Sequence, residues 1–148
     1  MSKDLQLKDW TFELSTAPSS QTELEELLKT KSAQATLQYI TENQGTLQQL
    51  LMNVIRNDYD QAFELYSEDE EIPEVQNDDE LKGLLMPLGA TIHETVKDGF
   101  NYVGFGFDCS WQEEHGIGVL MYKDRIVQHG GEDHAFLEYM AEDDAKLD

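Results

Sequence analysis

The chain has 148 residues, and 31 acids against 10 bases leave a formal charge of −21. The length suits one domain, 1–148, and the single Cys excludes an internal disulfide framework and any Cys-built structural zinc site. Such acidity argues against nucleic acid or an anionic membrane as partner, because both would repel it, and suits a basic protein partner or plain solubility.

The opening MSKDLQLKDW lacks the apolar core of a signal peptide, and no run of about 18 apolar residues is present. The expected location is the cytoplasm. In Lys8–Ser15, Trp10, Phe12 and Leu14 alternate onto one face, which predicts a short half-buried strand. Pro18 breaks it, and Ser20 with Glu23 has capping-box spacing ahead of a helix over Thr22–Lys31. Ala33, Leu37 and Ile40 predict a second helix ending near Gly45. The strongest helical signal is Thr46–Tyr66, where Leu47, Leu50, Leu51, Val54, Ile55, Ala62 and Phe63 recur every three or four residues. Met52 falls off that stripe and is expected to be partly exposed.

The stretch Ser67–Glu80 holds eight acids and no base. It reads as a solvated linker between a helical half (20–66) and a β half (81–148), or as an electrostatic docking segment. It lacks the alternating ligand order of an EF-hand loop. A helical turn over Leu81–Met86, stopped by Pro87, precedes the predicted strands Ala90–Val96, Phe100–Cys109, Gly116–Tyr122 and Ile126–His129. Asp98-Gly99 predicts a type I′ hairpin turn, and Gly104 and Gly106 predict a bulge or a close backbone approach. A last helix over Asp133–Lys146 presents Phe136, Leu137 and Met140 as its apolar face. The predicted fold class is α+β, an antiparallel meander of about four strands packed against N-terminal helices and a C-terminal helix.

Chemistry-bearing residues concentrate in Trp111–Val119. Glu113, Glu114 and His115, with His129 and His134, are the candidates for a metal-dependent or hydrolytic site, yet no H-E-x-x-H spacing occurs. Cys109 has acidic neighbours (Asp108, Glu113, Glu114) that would raise rather than lower a thiol pKa, so a packed inert Cys is expected. Neither a nucleophile elbow nor a phosphate-cradling glycine loop is present. No catalytic residue, cofactor or metal is assigned. Gly116 and Gly118 are expected to answer backbone needs, with Glu114 or His115 bonded to main chain near the turn.

The run Phe107–Phe136 resembles the C-terminal signature of an uncharacterised bacterial domain family, W-x-x-E-H-G-x-G-V followed by a G-x-x-x-x-F close. The matching residues are Trp111, Glu114, His115, Gly116, Gly118, Val119, Gly131 and Phe136. The resemblance covers the last third of the chain, reaches back to Leu85, and leaves the first 65 residues outside. It implies a small acidic protein of the immunity type, one that neutralises a secreted toxin. On that expectation the partner is a basic protein such as a toxin, held by Glu68, Asp69, Glu70 and Glu71, with Tyr66 and Tyr139 as aromatic anchors. The alternative is a metal-dependent or hydrolytic enzyme with its site around Trp111–Gly118.

Overall fold

A computed structural model describes residues 3–17, 21–66, 72–111 and 115–147. Strands β1 (Asp4–Leu7) and β2 (Trp10–Ala17) are followed by helices α1 (Gln21–Leu28), α2 (Lys31–Glu42), α3 (Gln44–Tyr66) and α4 (Asp78–Lys82). Strands β3 (Leu85–Lys97), β4 (Phe100–Cys109), β5 (Ile117–Tyr122) and β6 (Arg125–Gly130) come next. A 3-10 turn (Glu132–Ala135) and helix α5 (Glu138–Ala145) close the described chain.

The sheet is six-stranded and mixed, in the order β1-β2-β3-β4-β5-β6. The predicted four-strand antiparallel meander is therefore corrected in two ways. Two N-terminal strands join it, and β2 pairs parallel to β3, with Glu13 opposite Gly89 and Leu14 opposite Ala90. A parallel neighbour requires a crossover, and the four helices supply one. The other four pairings are antiparallel, and three of them close through two-residue turns with a left-handed backbone: Lys8 (φ 54°), Asp98 (φ 50°) with Gly99 (φ 85°), and Lys123 (φ 52°).

Alternation along the strands gives the sheet two buried faces. Trp10, Phe12, Leu14, Ala90, Ile92, Val103, Phe105, Phe107, Val119 and Met121 form one core with the helices. Phe12 meets Phe105 and Phe107 edge-on at centroid distances of 5.2 and 5.3 Å. Helix α3 contributes Leu47, Leu51, Ile55, Tyr59 and Ala62 to this core, with Leu50, Val54 and Phe63 half-buried against it. At about 1.5–3 kcal/mol per fully buried large apolar side chain, this face dominates stability. The opposite face carries a smaller cluster of Tyr102, Leu120, Tyr122 and Ala141, covered by α5.

Several predicted boundaries move for identifiable reasons. Met52 is buried at 3% exposure rather than partly exposed. The β1–β2 turn docks on the Gln48 side of α3, where Asp9 N–H donates to Gln48 Oε1 (3.0 Å) and Gln48 Nε2 to Asp9 Oδ2 (3.0 Å), and this turns the buried stripe toward Met52. Gly45 lies inside the first turn of α3 instead of ending the helix before it. Pro87 belongs to β3 rather than stopping a helix. It precedes the stretch paired with β2 and adjoins a register shift, where a missing N–H is tolerated. The single helix expected over Asp133–Lys146 is broken at Phe136–Leu137, and Phe136 is exposed rather than apolar-facing. The capping position Ser20 and the run 67–71 lie outside the described residues.

Candidate functional site

On the face away from α1–α3, the 3-10 turn Glu132–Ala135 lies directly on β4 and β5. A Cβ at Gly104 would stand 1.7 Å from the Ala135 carbonyl oxygen, and one at Gly118 would stand 2.5 Å from the Gly131 oxygen. No side chain fits between strand and turn at these distances, so hydrogen alone makes the contact possible. Gly116 serves differently. It takes φ +60°, and a Cβ there would also meet the Phe107 carbonyl at 2.5 Å. The backbone joins the two segments as well, because Glu132 N–H donates to the His115 carbonyl at 2.7 Å.

The turn is fixed to the sheet by His93 of β3, which is fully buried. Its Nε2 lies 2.8 Å from the Ala135 carbonyl oxygen and its Nδ1 lies 2.9 Å from Glu138 Oε1. Both ring nitrogens face oxygen atoms, so the ring is held at two points. Capture of the Ala135 carbonyl also explains the helix break, since a continuous helix would need that oxygen for the N–H four residues on. The second oxygen of Glu138 accepts from Thr95 N–H at 3.2 Å and from the Thr95 hydroxyl. Burial pushes the Glu138 carboxyl up, but the hydrogen bonds from His93 and Thr95 outweigh it and hold the group below its ordinary value.

A second anchor holds the far end of α5. Arg125 grips Asp144 with both guanidinium nitrogens (2.6 and 3.1 Å), and the Tyr102 hydroxyl donates to the same carboxylate at 2.6 Å. Asp144 is held low by Arg125 first, against burial, while Tyr102 is pushed up by burial and then by the carboxylate beside it.

Residues 5–137 match the family described as a domain of unknown function, DUF6985, a span that holds His93 and the 3-10 turn and ends just before Glu138. The chain belongs to that family. No curated protein and no solved structure matches it. The match begins at Leu5, so the first 65 residues are not outside the family, as the C-terminal resemblance suggested. Apart from Asp4, strands β1 and β2 lie within the matched residues.

Within this DUF6985 domain the residues singled out from sequence separate. Trp111 packs on the helical side, edge-on to Tyr59 at 5.2 Å, and its Nε1 donates to Asp58 Oδ2 at 2.9 Å. Gly116 and Gly118 serve the 3-10 turn on the other side, and His115 is exposed. Glu113 and Glu114 lie outside the described residues, as do Glu68, Asp69, Glu70 and Glu71. His129 is paired with Val119 and shares its face, whereas the His134 ring sits over Gly130 on the opposite face. Among the described residues no three His, Cys, Asp or Glu side chains are placed to hold a metal ion. Cys109 is buried. Tyr66 and Tyr139 are 49% and 57% exposed.

Sequence reasoning missed His93, Glu138 and Asp144. His93 falls inside the predicted strand Ala90–Val96, but nothing local gives its face a reason to be buried. The available signal was Gly104 and Gly118 in adjoining strands, which announce backbone lying on that face.

Proposed function

We propose that this DUF6985 chain is a non-enzymatic binding module for a basic protein, and that it acts as an immunity-type inhibitor of a basic bacterial toxin in the cytoplasm. One observation carries the reading: acids outnumber bases 31 to 10, and four of the ten bases are already paired with carboxylates of the same chain. Lys29 pairs with Glu26 (3.4 Å), Arg56 with Asp78 (3.6 Å), Lys82 with Asp9 and Asp79 (2.9 and 3.3 Å), and Arg125 with Asp144 (2.6 Å). The net charge of −21 is thus carried by unmatched carboxylates, a field that favours encounter with a cation and disfavours nucleic acid or anionic lipid.

Two exposed tyrosines give that field points of contact. Tyr139 shares the outer surface of α5 with Glu142 and Asp143, three and four residues on, while Glu138, Ala141 and Asp144 face the sheet. Tyr66 ends α3 and is followed in sequence by Glu68, Asp69, Glu70 and Glu71. Exposed aromatics ringed by charge are the residue types that anchor interfaces. The alternative of a metal-dependent enzyme finds no support in the placement of His129 and His134 on opposite faces.

The test uses the product of the neighbouring reading frame as probe. A basic toxin domain encoded beside this gene is purified, and its association with the chain is followed across a salt series. Binding with inhibition of the toxin, and an on-rate that falls steeply with salt, is the expected result. A neighbouring product that is neither basic nor bound overturns the reading.

A further inference from the structure

Beneath α2, and independent of any partner, a small cavity of about 10 Å³ lies among α2, the start of α3, β4 and β5. Its walls include Ile40, Leu47, Val103 and Met121, all nearly fully buried. Thr36, Tyr39, Asn101 and Lys123 also line it, the last with its ammonium over the Phe100 ring.

Asn101 is 1% exposed and connects three elements. Its backbone N–H donates to Thr36 Oγ1 of α2 at 2.9 Å, and its Nδ2 donates to the His93 carbonyl of β3 at 2.7 Å. The second bond fixes which branch of the amide is nitrogen, because a carbonyl accepts only. Oδ1 is therefore the other branch, fully shielded from solvent and accepting no hydrogen bond from any described residue. An acceptor in that state is rare in native proteins, because losing its solvation without replacement is costly. Thr36 Oγ1 donates to the Ser32 carbonyl at 2.7 Å and accepts one bond from Asn101, so it keeps a lone pair.

Asn101 and Thr36 thus offer two acceptors, one of them unmet, beside a space of one solvent molecule. A cavity needs about 10–15 Å³ to hold a water, so size excludes anything larger. An apolar occupant would leave Oδ1 unmet. We propose that this cavity is a binding site for a single internal water, which donates to Asn101 Oδ1 and Thr36 Oγ1 and joins α2 to the centre of the sheet. The carbonyl of His93 is one bond away, so the water completes a polar chain that passes from α2 through the sheet to the His93–Glu138 pair on the far face.

Water-selective NOE and ROE spectra of the labelled full chain test this, with xenon as the competing apolar probe. Cross-peaks from a long-lived water to the Asn101 side-chain amide and to the Val103 and Met121 methyls, with no methyl shifts under xenon pressure, are expected. Thr36→Ser should keep the water cross-peaks and Thr36→Val should lose them. Absence of the cross-peaks in the unmodified chain overturns the proposal, and so does saturable xenon uptake at Val103 and Met121, which marks a dry cavity. Full-intensity cross-peaks in Thr36→Val overturn the role given to Thr36.

Discussion

His93 Nδ1 lies 2.9 Å from Glu138 Oε1, and this one contact joins the middle of the sheet to the start of the last helix. Glu138 is 15% exposed at the side chain and His93 not at all, so removing one partner strands the other in a poorly solvated place. Glu138→Ala should therefore destabilise the fold by about 3 kcal/mol, measured by urea denaturation. A loss below about 0.5 kcal/mol, the range of ordinary surface changes, would show that α5 is not held by this pair.

Acid should weaken the same attachment. Glu138 and Asp144 both have folded-state values below their ordinary ones. A depressed carboxylate stabilises the fold above its unfolded pKa, and that contribution is lost as pH falls through the folded value. Stability should hold down to about pH 5 and then decline, with a shallower decline in the variants Glu138→Gln and Asp144→Asn. Parallel acid limbs for the three proteins would exclude both groups from the transition.

The glycines divide into those under a backbone and those in the open. Gly104→Ala places a methyl 1.7 Å from the Ala135 carbonyl, so the 3-10 turn must lift and a loss of about 3 kcal/mol is expected. Gly116→Val should cost more than about 1 kcal/mol, from its left-handed backbone and the Phe107 carbonyl together. Gly45→Ala meets nothing within 4 Å inside α3 and should stabilise by about 0.5 kcal/mol. Thermal melts of the three variants should fall on both sides of the parent.

Charge and contact should separate in the kinetics of binding a basic partner. Neutralising Glu68, Asp69, Glu70 and Glu71 to Gln or Asn should lower the on-rate within the range of about 10–10³ that steering supplies. The effect should vanish at high salt, because the Debye length is only about 8 Å at physiological strength. Tyr66→Ser and Tyr139→Ser should instead raise the off-rate, with folding stability unchanged within about 0.5 kcal/mol. An on-rate indifferent to salt and to all four neutralisations would remove the acidic run from the mechanism.

Local patterns carried much of this fold. The alternation of Ile92 against Thr91 and His93, the Asp98-Gly99 turn and the periodicity of α3 each act within a few residues, and each was legible. What was not legible depends on distant segments. The short strand Asp4–Leu7 has only two apolar residues, and its place is set by pairing with β2. Nothing near Glu13 announces Gly89 as its neighbour. The site was legible in part: Gly116 and Gly118 were expected to answer backbone needs, yet the turn that requires Gly118 comes from residues 131–135, and no local rule connects them.

The parallel seam between β2 and β3 has a consequence for how the chain reaches this structure. Hairpins from β3 to β6 close over short loops, whereas β2 must find β3 across all four helices. Closing that larger loop is entropically the slower step, and its reward arrives only once β3 is in place. On a ribosome the β1–β2 hairpin therefore emerges before the helices and waits, with Trp10, Phe12 and Leu14 uncovered, until β3 provides its neighbour. The first strands made are the last to be enclosed, and that interval is when this protein is most open to aggregation.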